Sequence, residues 1–380
     1  MILAALGVVT LVIWAWLLLF HHGFWRANQR LPKRAAPGRW PSVVAIVPAR
    51  NEAPSIGACV EALARQDYAG ALAIVVVDDS STVGTGDIAR AIAGDVDVIA
   101  GDALPAGWSG KLWALDTGLR HAAALPADYF WFSDADIVHQ PHVLADLVGF
   151  AEAGRLDMVS LMARLHCVYF WERLLVPAFI FFFQMLYPFP AVNDPKSRIA
   201  GAAGGCVLLR RAALARIGGI GAIRGDLIDD CALANAVKQS GGAIWLGLAD
   251  GTRSLRVSAK LRDLWQMVAR TAFTQLRYSS VLLAGTLAGL ALTFLVPPLL
   301  VLSWPVHQNM IAGSTGLLAW IGMAAAYWPT LRDYGRTPPE TLLLPVTAAL
   351  YGAMTLDSAL NYWRGTAGNW KGRQYQKGHT

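Results

Sequence analysis

Charge is what this 380-residue chain has least of: Asp, Glu, Lys and Arg make up 15% of it, against 55% hydrophobic residues. That balance excludes an ordinary soluble enzyme. Acid is absent before Glu52 and again after Asp357. The four cysteines, Cys59, Cys167, Cys206 and Cys231, show no C-x-x-C spacing, which excludes a zinc knuckle and a disulfide framework and leaves buried reduced thiols. The Gly-rich stretch 201–205 lacks the Gly-Lys-Ser/Thr ending of a phosphate loop and reads as backbone making room for a ligand. No repeat period is visible. The formal net charge of +6 is modest and clustered, which points to a membrane surface and away from nucleic acid.

What is present begins with an apolar run over residues 1–20, long enough as a helix to cross a bilayer core. It has neither a basic start nor a small-residue cleavage site, so it reads as an uncleaved anchor over 1–22. Arg26, Arg30, Lys33, Arg34 and Arg39 follow without an acid, and by the positive-inside rule they place what comes next in the cytoplasm. Val281–Trp304 and Ile311–Thr330 read as two further spans, joined by a loop lacking Lys and Arg. Thr341–Leu360 contains Pro345 and the costly Asp357, and the tail after it carries Arg364, Lys371, Arg373 and Lys377. A re-entrant or interfacial segment with a cytoplasmic tail fits that pattern. The expected organisation is an anchor over 1–22, a globular domain over 41–277, a transmembrane region over 280–360 and a basic tail over 361–380. Within the globular part, 174–192 is apolar but broken by Pro177, Gln184, Pro188 and Pro190. It is expected to lie in the interface, because a crossing would separate Asp134 from Asp229 and Asp230.

Between 41 and 277 short strands alternate with helical patterns, as in an α/β fold with a largely parallel sheet. Strands are expected over Val43–Val47, Leu72–Val77, Val96–Ala100, a run ending at Ser133, and Ala243–Leu248. Acidic or polar residues recur directly after strands, which gathers them at one edge of the sheet. Asp134-Ala-Asp136 follows the apolar run Tyr129–Ser133 and supplies hard oxygen ligands suited to Mg2+ or Mn2+ and, through the metal, to a nucleotide diphosphate. Asp230 is the strong candidate base in the second half of the domain. The plainer role for it is helix capping ahead of Ala232. His139 and His142 read as a packed or surface pair, not a second metal site.

Taken together, Val47-Pro48-Ala-Arg50-Asn-Glu52, Val77-Asp78-Asp79-Ser-Ser81, Asp134-Ala-Asp136 and Asp229-Asp230-Cys-Ala-Leu233 resemble family 2 glycosyltransferases of the GT-A fold. Gly107-Trp-Ser-Gly-Lys111-Leu-Trp113 and Trp370-Lys371-Gly-Arg373 are similar to a membrane-bound subgroup that includes hopene-associated and carotenoid-type enzymes. The resemblance implies a GT-A (Rossmann-like) nucleotide-sugar-binding domain and metal-dependent, inverting transfer of one sugar to a membrane lipid such as a hopanoid. Pro48, Arg50 and Glu52 fall where the family contacts the nucleoside, and Asp78 and Asp79 where it holds the base. Lys111 falls near the diphosphate, Asp134 and Asp136 on the metal motif, Asp230 on the catalytic base, and Asp229 in place of the usual Glu. The subgroup's Gln-x-x-Arg-Trp motif is not intact. Gln266 and Arg270 are its nearest counterparts, with Arg270 implied as a donor contact. The partners implied are a nucleotide sugar, a lipid and a bacterial-type inner membrane. A processive polysaccharide synthase is the alternative, disfavoured by too few spans for a channel. Carotenoid, ceramide-like and polyprenyl acceptors stay open.

Overall fold

A computed structural model describes residues 1–32, 37–92, 96–365, 369–370 and 373–374. Lys33, Arg34, Lys371 and Lys377 of the basic flank and tail lie outside the described residues. The chain divides into two compact units, one built chiefly from Asn28–His166 with Ala191–Val257, the other from Met1–Ala27, Cys167–Pro190 and Ser258–Gly368.

The first unit is an α/β fold around an eight-stranded sheet: β1 Val43–Ala49, β2 Leu72–Asp78, β3 Val96–Ala100, β4 Tyr129–Ser133, β5 Ile137–His139, β6 Met158–Arg164, β7 Cys206–Arg210 and β8 Ile244–Ser254. Their order across the sheet is β3-β2-β1-β4-β7-β6-β8-β5. All residues of β1 and β4 are buried, as their unbroken apolar runs require of strands covered on both faces. Strand β3, at the edge, carries exposed Asp97 and is only partly covered.

The expected parallel character holds for β3-β2-β1-β4 and for β6 with β8. It fails at β7, which runs antiparallel to both β4 and β6, and at β5 against β8. The sheet is therefore mixed. Periodicity and length identify a strand, but its direction depends on where the connecting chain re-enters the sheet. The chain leaves β1 towards β2 and β3, then returns to place β4 on the other side of β1. This reversal opens a crevice beyond the carboxyl ends of β1 and β4. One face of the sheet is sealed by Cys59, Val60 and Leu63 from the helix Ile56–Ala64 and by Leu144, Leu147 and Val148 from the helix Val143–Gly154. All four cysteines are free thiols, three of them buried.

Among the described residues, the second unit contains four helices long and apolar enough to cross a membrane: Ile2–Leu19, Ser280–Leu302, Met310–Asp333 and Pro338–Trp363. Gly7 lets the first approach the third, since a Cβ there would clash with Thr315 Oγ1 and stand 3.3 Å from the Ala312 backbone. The second helix loosens into a π turn over Ala291–Leu295 ahead of Pro297 and Pro298, which have no N–H to give. Trp14 Nε1 donates to the Thr293 carbonyl there, at 2.8 Å. The segment expected to be interfacial lies largely in a 17-residue helix, Phe170–Leu186, with Pro177 inside it. Buried Glu172 closes its N-terminus by accepting the Val168 and Tyr169 N–H groups. Two of the features that weighed against Thr341–Leu360 as a crossing are accommodated, whereas the basic tail bears on it as before. Pro345 sits in the first turn of the helix Leu344–Trp363, where its missing N–H costs nothing. Asp357 accepts from Trp265 Nε1 at 2.8 Å and Asn361 Nδ2 at 3.2 Å.

Candidate active site

The crevice is edged by loops that leave β1, β2 and β4. After β1 the backbone turns at Asn51, and after β2 at Ser80, both in the left-handed region with φ of 52° and 54°. The two loops brace each other: Asn51 N–H donates to Ser81 Oγ, and Thr82 N–H to Asn51 Oδ1, each at 2.9 Å. Strain held this way at a sheet edge is a mark of a functional loop. Arg50 reaches across to the Asp79 carbonyl at 2.6 Å and lies 3.6 Å from its carboxylate, which is fully buried. Asp78 turns its carboxylate back onto the Ser81 N–H at 3.1 Å.

Lys111 stands in the first turn of the helix Gly110–His121, which Ser109 caps by accepting the Leu112 N–H. Its ammonium lies 2.8 Å from Asp134 Oδ1 and 3.3 Å from Asp229 Oδ2, so one cation joins the loop after β4 to the acidic pair. Burial alone would favour its neutral form, but the charges of Asp134, Asp229 and Asp230 outweigh that and hold its pKa above the ordinary lysine value.

Asp229 and Asp230 open the helix Asp229–Gln239, with Ile228 at the cap position, so capping is not the task of Asp230. Both acids sit where the helix dipole favours negative charge. Asp230 Oδ2 accepts the Gly204 N–H at 2.8 Å. Burial, then the neighbouring Asp229 charge, push its pKa up to about 6, against the opposing pull of Lys111 and two backbone N–H groups. Asp134 is also raised, chiefly by burial, with Lys111 opposing and Asp136 adding to the shift.

Gly204 explains why a glycine-rich stretch enters β7. A Cβ there would lie 3.1 Å from Lys111 Nζ and 3.3 Å from Asp230 Oδ2. We expect Gly204→Ala to lower kcat about tenfold by displacing these two groups by a few tenths of an ångström, with little change in melting temperature. Steady-state kinetics beside a thermal melt checks it.

The remaining predicted residues divide by unit. Pro48, Arg50, Glu52, Asp78, Asp79, Lys111, Asp134, Asp136, Asp229 and Asp230 all belong to the sheet unit, and Pro48 lines the crevice with Lys111, Asp134 and Asp230. Arg270 and Gln266 belong to the other unit, Arg270 at the end of the helix Leu261–Ala269. The two histidines part company. His139 is buried behind the acid motif between Ser133 Oγ and Thr252 Oγ1, each at 3.0 Å, and burial lowers its pKa to about 3. His142 is exposed.

Sequence reasoning missed Arg256. Its Nε donates to Asp136 Oδ2 at 2.9 Å and its Nη2 to Glu52 Oε1 at 3.0 Å. Nothing in the local pattern marks an arginine just past a strand. Only the antiparallel pairing of β5 with β8 brings it to the acid motif.

A divalent cation suits this donor set. Glu52, Asp134, Asp136, Asp229 and Asp230 outnumber Lys111 and Arg256, which leaves an excess of negative charge. Asp134 and Asp136 are the hard-oxygen candidates. No group of three or more His, Cys, Asp or Glu placed to hold a metal occurs among the described residues, so water and substrate oxygens would complete the shell.

With this geometry in place, the comparisons are specific. Residues 44–218 match the model of "Glycosyl transferase family 2". An N-acetylglucosaminyltransferase of Rhizobium sp. (strain N33) is 36% identical over 89 residues, which is 21% of this chain and 20% of that protein. An N-acetylglucosaminyltransferase of Mesorhizobium japonicum is 54% identical over 43 residues, 11% of this chain and 10% of that one. The matches thus span a fifth or less of those relatives' length. A mannosyltransferase of Pyrobaculum calidifontis, solved in complex with GDP-Man and Mn2+, shares the fold with a TM-score of 0.54 and 21% identity, over 95% of this chain and 99% of that one. The fold that this chain shares with that mannosyltransferase is a GT-A-like mixed sheet, with long apolar helices at both ends of the chain.

Proposed function

We propose that this protein moves a single sugar from a nucleotide sugar to a hydroxyl group of a membrane lipid, with inversion at the anomeric carbon. The observation that carries the reading is the placement of Asp230 beside Lys111 and Asp134, in the crevice where the sheet reverses. Asp230 takes the proton of the acceptor hydroxyl as its oxygen attacks the anomeric carbon, and a base with a pKa near 6 is ionised yet still basic at neutral pH. Lys111 is placed to oppose charge gathering on the departing diphosphate. Arg50, Glu52, Asp78 and Asp79 form the nucleoside side of the crevice. A metal bound at Asp134 and Asp136 would neutralise the diphosphate's charge, in keeping with the Mn2+ and GDP-Man bound by the mannosyltransferase.

Four helices able to cross a membrane support a lipid acceptor, since a soluble one would require none of them. The hopanoid assignment rests on the resemblance of 107–113 and 370–373 to the hopene-associated subgroup. The domain over 41–277 is proposed to face the cytoplasm, with 174–192 lying near the bilayer.

The test uses full-length protein in sealed vesicles, labelled nucleotide sugars, Mn2+, and a hydroxylated hopanoid, polyprenyl phosphate or diacylglycerol. Label is expected in a lipid carrying one sugar, lost with EDTA, and formed only where the cytoplasmic face is outward. Label confined to a polymer or to a water-soluble product would overturn the reading. Label on diacylglycerol alone would remove the hopanoid and keep the reaction class, whereas label on polyprenyl phosphate alone would also remove the hydroxyl acceptor.

A further inference from the structure

The cation at Asp136 is one the family pattern did not supply. Arg256 follows β8, and the chain there is pinned to the acid motif: Leu255 N–H donates to the Asp136 carbonyl at 2.8 Å, and Ile137 pairs with Ser254. Asp136 Oδ2 receives both Arg256 Nε at 2.9 Å and Ser254 Oγ at 3.1 Å. The same guanidinium spans to Glu52 Oε1, tying the loop after β1 to the acid after β4. Its side chain is 47% exposed, whereas those of Glu52 and Asp136 are only 15% and 12% exposed. The acids are largely buried, and the cation that pairs with them is the more exposed partner.

A plain surface ion pair would have this much geometry and no further consequence. This pair, however, occupies an oxygen of the carboxylate that the metal reading requires. A guanidinium does not deprotonate in proteins, so it yields that oxygen only by moving. Two positive ions on one small carboxylate repel each other strongly away from bulk water.

We infer that Arg256 is a resident counter-cation that competes with the divalent metal for Asp136, and that once displaced it turns its fork to the donor's diphosphate. The inference rests on reading Asp134 and Asp136 as metal carboxylates. It makes metal and donor binding mutually supporting. Metal releases Arg256 for the phosphates, the phosphates draw Arg256 off Asp136, and each ligand raises the affinity for the other by the same factor.

The test is Mn2+ binding to the full-length protein in detergent, followed by the electron paramagnetic resonance signal of free Mn2+. Without nucleotide, Arg256→Gln is expected to bind Mn2+ at least about tenfold tighter than wild type, since one charge-assisted bond no longer opposes the metal. Arg256→Lys, which keeps the charge but not the fork, should fall between them. Added GDP or UDP should tighten Mn2+ binding more in wild type than in Arg256→Gln. Unchanged or weaker Mn2+ binding in both variants, with melting curves like wild type, overturns the competition. If Asp134→Asn and Asp136→Asn bind Mn2+ as wild type does, the metal reading falls and this inference with it.

Discussion

Asp230→Asn is expected to reduce transfer by at least about a thousandfold while leaving metal-dependent nucleotide binding close to wild type. Asparagine keeps the shape and can still accept the Gly204 N–H, so the loop into β7 holds. What it loses is the lone pair basic enough to take a hydroxyl proton. The pH dependence gives a second, independent reading. A base is active only when ionised, so with its pKa raised to about 6 the wild-type rate should fall below that pH, tenfold for each further unit. The Asp229 charge is one cause of the raised value, so Asp229→Asn should move that acid limb to lower pH. Single-turnover rates across pH, beside nucleotide titration, decide the matter. Turnover like wild type in Asp230→Asn would end the assignment.

Lys111→Met should be nearly as damaging, for a different reason. The apolar stem survives, but Asp134, Asp229 and Asp230 are left facing one another without their shared cation. Transfer is expected to fall about a hundredfold or more, as when one charge-stabilising donor is removed from a preorganised site. Stability should drop by about 2 kcal/mol, below the cost of breaking a fully buried pair because these groups retain some solvent contact. Lys111 holds the Asp230 pKa down, so residual activity in the variant should show its acid limb displaced to higher pH, opposite to Asp229→Asn. Coincident limbs in the two variants would mean that Lys111 and Asp229 do not act on the same base.

The alternating strands, the acids that follow them and the apolar runs were all legible in the chain, because each is written in a short window. Tyr129–Phe132 is apolar at every position, and with Ser133 it is buried throughout as β4. Residues 1–20 read as one long apolar helix, and Ile2–Leu19 is that helix. Gly204 was noticed as part of a glycine-rich stretch, though its tie to Asp230 was not. The tail motif at 370–373 was legible as a pattern, but Lys371 and Gly372 lie outside the described residues.

The sequence by itself determined an α/β sheet with acids at its carboxyl edge and apolar helices at both ends of the chain, because local periodicity suffices for these, while the likeness to family 2 came from the resemblance of short motifs. The tertiary structure alone decided the rest. It set β7 antiparallel between β4 and β6, shut His139 in the core while leaving His142 in solvent, and made Lys111 common to Asp134 and Asp229. It also carried Arg256 to Asp136 across 120 positions of sequence. Strand direction and long-range ion pairs depend on where distant segments re-enter the sheet, and no window of neighbouring residues encodes that.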